Sequence, residues 1–147
     1  MNLIYDRTAE DVQTARKQRG TVTTPLKGCY NATDMNRVEA AVKAIAAELN
    51  SAGYGVEITS RTFAESDIIR RAQWAQYLSN VQALRDAISV RATTPELPAA
   101  DAKLDYVGAN NIEKILADLD ELLSWMMHSR KYCGTFSAGQ TILPRKG

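Results

Sequence analysis

The sequence predicts an all-α protein: an antiparallel three-helix bundle with a short N-terminal helix and an extended C-terminal arm. Three observations lead there. Apolar residues recur at steps of three and four over three separate stretches. Prolines and glycines fall between those stretches, where helices stop. The last residues, with Gly134, Gly139 and Pro144, lose the helical period altogether. A length of 147 residues, 45% of them apolar, suits one domain with a buried core. Its expected parts are residues 1–30 (short helix and loop), 31–130 (bundle) and 131–147 (arm).

The short first helix is expected from about Thr8 to Gln18. Asp6 or Thr8 can cap it, Glu10 and Asp11 suit the positive end of its dipole, and Gly20 and Pro25 follow its end. The second helix carries the clearest stripe: Met35, Val38, Val42, Ile45, Leu49 and Ala52. Asn31 or Thr33 can cap it and Gly53 can stop it. Between Tyr54 and Phe63, apolar and polar residues alternate. A strand there would have no partner, so an extended segment lying against the helices is expected. The third helix is expected from Ser66 or Asp67, with Trp74, Tyr77, Leu78, Val81, Leu84 and Ile88 inward. Pro95 and Pro98 mark the following segment, 91–103, as a surface linker. The fourth helix is expected from Ala109 to His128, with Ile112, Ile115, Leu116, Leu119, Leu122, Leu123 and Met126 inward.

Composition narrows the function classes. A net charge of +1 gives no bulk attraction to nucleic acid, so none is expected as partner. No apolar run reaches the length of a membrane span, and the first residues lack the pattern of an export signal. His128 is the only histidine, and its spacing from Cys29 and Cys133 matches no zinc motif, so neither metal nor cofactor is expected. The acids of Asp118-Leu119-Asp120 project apart on a helix and cannot converge on an ion. Gly53-Tyr54-Gly55 follows a helix, not a strand, and lacks a third glycine for a nucleotide loop. Trp74, Tyr77 and Trp125 fall on or beside the apolar stripes, which favours packing over base stacking. No catalytic residue is expected, and the protein reads as a non-enzyme.

Polar residues beside the stripes are the notable irregularity: Asn36, Arg37 and Glu39 in the second helix, Asn80 and Arg85 in the third, Asn111 and Glu113 in the fourth. Buried polar groups need partners, so these seven are expected to bond one another or the backbone and set helix register.

The same stretches carry a resemblance. They are Ile4-Tyr5-Asp6-Arg7-Thr8, the run from Tyr30 to Glu39, the run from Leu78 to Arg85, the run from Ala109 to Leu116 with Asp118-Leu119-Asp120, and the run from Tyr132 to Gln140. In this order they resemble an uncharacterised family encoded in structural modules of phages and prophages of Gram-positive, Clostridia-like hosts. The resemblance implies a virion or tail-associated structural or adaptor role. Assembly would take place in the bacterial host cytoplasm, with other phage structural proteins and further copies of the chain as partners. Extended, apolar and glycine-containing, the arm suits strand-like addition to a neighbour, with Tyr132, Phe136, Ile142 and Leu143 as anchors. The N-terminal residues are also expected to reach neighbouring subunits. The alternative from another class is a small phage-encoded inhibitor of a host defence or regulatory protein.

Overall fold

The computed structural model describes residues 1–133, with side chains described through Arg130. Four helices follow one another: α1 (Ala9–Lys17), α2 (Ala32–Ser51), α3 (Arg71–Ala87) and α4 (Tyr106–Cys133). No strand occurs among the described residues. Helices α2, α3 and α4 each pack against the other two.

Local chemistry accounts for the helix ends. Thr8 and Asp11 form a reciprocal capping box at the start of α1, and Asn31 and Asp34 form another at the start of α2. Gly53 takes a φ of +93°, and the Tyr54 amide bonds back to the Leu49 carbonyl, which closes α2. The third helix starts later than expected. Asp67 accepts from the Ala64 amide while its own amide bonds to the Ala64 carbonyl, so residues 64–67 form a turn and the helix waits until Arg71. The fourth starts earlier, at Tyr106, because the Asp105 carboxylate takes the Gly108 amide as an N-cap does. Gly108 leaves room there, since a Cβ would sit 3.1 Å from Leu104 and 3.2 Å from Pro98. Helix α4 also runs on to Cys133, so residues 131–133, expected in the extended arm, are helical. No glycine or proline interrupts the chain between Gly108 and Gly134.

The helix directions differ from the expected antiparallel bundle. Arg37, near the start of α2, bonds Glu113, near the start of α4. Ala47 and Ser51, at the end of α2, line one groove with Ser124 and Met127 of α4. These two helices therefore run in the same direction. Trp74 of α3 shares a groove with Met35 and Ala109, early in α2 and α4, so α3 shares that direction too. The physical reason lies in the linkers. Antiparallel neighbours need only a few connecting residues. Residues 52–70 and 88–105 are long enough, at about 3.3 Å each, to return along a helix of about 30 Å before the next begins.

Each return lies against the helices. As the chain runs from Val56 to Phe63, its partners on α2 descend from Asn50 to Asn36. As it runs from Arg91 to Pro98, its neighbours on α4 descend from Glu121 to Gly108. The N-terminal segment behaves likewise, with Ile4 bonded to Glu113 and Arg7 to Asn110. The expectation of an extended segment at 54–63 thus holds. The expected surface linker at 91–103 holds in part: residues 99–103 are exposed, but Thr94 is buried and Leu97 packs on the core.

That core is continuous. Val38, Ile45 and Leu49 of α2, Val81 and Leu84 of α3, and Ile112, Ile115, Leu116 and Leu119 of α4 are fully buried, with Phe63 contributed by the first return. Burial of each large side chain contributes roughly 1.5–3 kcal/mol. Trp125 departs from the expected packing: it is 56% exposed, with the Arg91 guanidinium 4.5 Å above its ring. Among the described side chains of α4, Leu123 is the last that is fully buried, and the helix continues to Cys133.

Candidate functional site

Four asparagines address the backbone of the extended segments in the same way. A carboxamide carries one acceptor and one donor group, the complement of a peptide unit. Asn36 accepts from the Phe63 amide at 2.8 Å and donates to the Phe63 carbonyl at 2.8 Å. Asn80 holds both backbone groups of Thr59, Asn50 both of Val56, and Asn110 both of Arg7. The extended segments thereby satisfy backbone groups that a neighbouring strand would otherwise serve. Of the expected polar residues, Asn36 and Asn80 act this way. Asn111 does not; its neighbour Asn110 is the one that faces the N-terminal segment. Asn50 stands beside Leu49 of the stripe, but in the last turn of the helix a polar residue reads as a solvated end.

Charged residues close the N-terminal side. Arg7 and Glu113 are almost entirely buried and pair at 2.8 Å, and the same guanidinium nitrogen reaches Asp34 at 3.1 Å. Arg37 pairs with Glu113 at 2.8 Å and with Asp34 at 2.5 Å. Two cations and two anions thus balance. Arg7 also donates to the carbonyls of Ile4 and Lys27 and lies over the Tyr30 ring. Removing one member would leave buried charge uncompensated. The pairing of Arg37 with Glu113 joins two expected network residues. Arg7 and Asp34 were hidden because both precede the apolar stripes. This cluster also corrects the expectation that the N-terminus reaches a neighbour: residues 3–7 are tied to their own helices.

The other expected positions are less well satisfied. Arg85 donates to the Pro95 carbonyl at 3.3 Å. Glu39 is 3% exposed and faces the backbone of Arg61, but its Oε2 has no hydrogen-bond partner. Burial pushes the Glu39 carboxyl above its ordinary range, against the opposing pull of the Arg61 backbone and Lys43. Nearby, the Tyr30 and Tyr77 hydroxyls meet at 2.6 Å. Burial holds both phenols well above their usual pKa. Of the expected arm anchors, Tyr132 has helical backbone and an undescribed side chain, while Phe136, Ile142 and Leu143 lie outside the described residues.

Cys29 sits in the loop before α2, whereas His128 lines the groove at the opposite end of the helices, so these two cannot form a nucleophile pair. Among the described residues no cluster of three or more histidine, cysteine, aspartate or glutamate side chains could hold a metal, and no helix is long and apolar enough to cross a membrane.

Two broad grooves stand out among the described residues, one at each end. The N-terminal groove, about 1070 Å3, is floored by Val12, Ile69, Trp74 and Leu104 and edged by Arg16, Arg71 and Lys103, with Asp101 and Asp105 alongside. The C-terminal groove, about 800 Å3, lies between the ends of α2 and α4, with Ala47, Leu123 and Met127 beside Glu48 and Asp120. Such surfaces can hold another macromolecule. Comparison with models of known protein families, with characterised proteins and with solved structures gives no match to this chain.

Proposed function

We propose that this is a virion- or tail-associated structural or adaptor protein of a phage or prophage, acting through protein–protein contacts, as the resemblance of its sequence implies. One observation carries the reading. Most interior polar side chains are engaged with the protein's own backbone and with each other, while large apolar residues stand exposed at both ends of the helical body. Ile68 (89% exposed), Ile69 and Val107 lie at one end, and Tyr54, Trp125 and Met127 at the other. Exposed apolar surface of this kind marks association sites. The partners are other phage structural proteins and further copies of this chain, and the protein acts in the virion by assembly, not by catalysis. The partner-binding anchors are Phe136, Ile142 and Leu143, which follow α4 in the sequence, and Tyr132 near its end.

Mass spectrometry of purified particles tests this reading: the protein should be present at stoichiometric level, and its absence overturns the proposal. Deleting Tyr132 to Gly147 should abolish incorporation while leaving the helical circular dichroism intact. Normal incorporation of the truncated protein would remove the arm from the account.

A further inference from the structure

We infer that copies of this chain associate head to tail, the acidic groove at the C-terminal end of one copy seating on the basic groove at the N-terminal end of the next. The inference rests on the assembly reading and names one partner for it, a second copy.

Because α2, α3 and α4 share one direction, the two ends of the body are different surfaces. Both combine apolar residues with charge: cations outnumber the acids Asp101 and Asp105 around the N-terminal groove, whereas acids line the C-terminal one without lysine or arginine. Arg16, Arg71 and Lys103 edge the N-terminal groove. Of its two acids, Asp105 is engaged with the Gly108 amide. Glu48 and Asp120 line the C-terminal groove, and Arg130 lies farther out on α4, past it.

These charges sit where an isolated helix would not place them. Acids favour helix N-termini and bases favour C-termini. Yet α3 has no acid in its first turn and begins with Arg71, while α2 has no base in its last turn and carries Glu48 one turn from its end. Side-chain charge and helix dipole therefore add at the start of α3 and at the end of α2, whereas Asp34 at the start of α2 and Arg85 at the end of α3 follow the usual placement. An outside surface of opposite sign would relieve both, and the other end of the same molecule supplies it. Joining two different faces gives a heterologous contact, which repeats into a ring or a filament.

The test uses the full chain and two double variants. Arg71→Glu with Lys103→Glu reverses the N-terminal groove, and Glu48→Lys with Asp120→Lys reverses the C-terminal one. Arg71, Lys103 and Glu48 are exposed, Asp120 is half-buried, and none of the four belongs to the buried charge cluster. In sedimentation the wild type should gain mass with concentration, less so at high salt. Each variant should associate at least about tenfold more weakly. An equimolar mixture should recover association, because each variant's altered groove then meets a complementary one. A wild type that stays monomeric, variants that associate normally, or a mixture that fails to recover would each overturn the inference. A monomeric wild type still found in particles sinks this pairing and leaves the assembly reading standing. Self-association by a protein absent from particles does the reverse.

Discussion

Residues 54–64 and residues 88–98 both run back along the helices, yet their backbones are held by opposite means. The first return keeps its amides, and Asn36, Asn50 and Asn80 pair with them residue by residue. The second contains Pro95 and Pro98, which have no amide to offer. Its own side chains make most of its contacts: Thr94 donates to Asp118 and Arg91 pairs with Glu121, while on its backbone the Pro95 carbonyl accepts from Arg85. The N-terminal segment combines both solutions, with Asn110 on its backbone and a buried charge cluster at Arg7. An extended segment in an all-helical protein thus needs either carboxamide partners or a sequence that reduces the demand for them.

Substitutions can break this comparison, beginning with the segment that uses both devices. Glu113→Ala leaves Arg7 and Arg37 facing Asp34 alone, and should cost about 3–5 kcal/mol in denaturant unfolding. A loss below about 1 kcal/mol would show that the cluster does not hold the N-terminal segment. In the first return, Asn80→Ala orphans both backbone groups of Thr59 and should cost about 2 kcal/mol.

Glu39→Gln sharpens the contrast with a change of sign. The carboxyl's pKa is raised by burial, so its contribution to stability is largest in acid and is lost as pH rises through the folded-state value. The amide removes the buried charge and should raise stability at pH 7 by about 1 kcal/mol. It should also flatten the dependence of stability on pH from the ordinary glutamate range upward; thermal melts across that range would register no change if Glu39 were well solvated. Arg85→Ala, in the second return, should have the smallest effect, about 0.5 kcal/mol, because its bond to Pro95 is long and partly exposed. A cost equal to that of Asn80→Ala would erase the distinction between the two returns.

The helical stripes were legible because a buried helix face imposes its period on the sequence. Val38, Ile45, Val81, Leu84, Ile112 and Leu119 all follow it and are all fully buried. Asn36, Asn80, Arg37 and Glu113 could be singled out because each stands beside a stripe. Asn110 and Asn111 both precede Ile112, but only Asn111 adjoins it, and it is Asn110 that meets Arg7. Helix direction was not legible. The structure's helix bounds leave residues 52–70 and 88–105 long enough for returns, whereas the sequence places the third helix from Ser66 or Asp67 and gives residues 91–103 the composition of a solvated linker. Thr94 illustrates why: a buried hydroxyl that donates to a buried aspartate is indistinguishable in sequence from a solvated loop residue. The helical stretch through Cys133 was obscured because the apolar stripe in the sequence ends near Met126 while the helix continues.

The shared direction of the helices underlies both the returns and the polarity of the two ends. Spin labels at Ser51 and Ser124, in a chain with Cys29 and Cys133 replaced by serine, test it by a single distance. Both positions are exposed and border the same groove. The account predicts a label separation under about 20 Å, that of neighbouring packed helices plus the tethers. A separation near about 30 Å, the length of α2, would mean that α2 and α4 run in opposite directions and would contradict it.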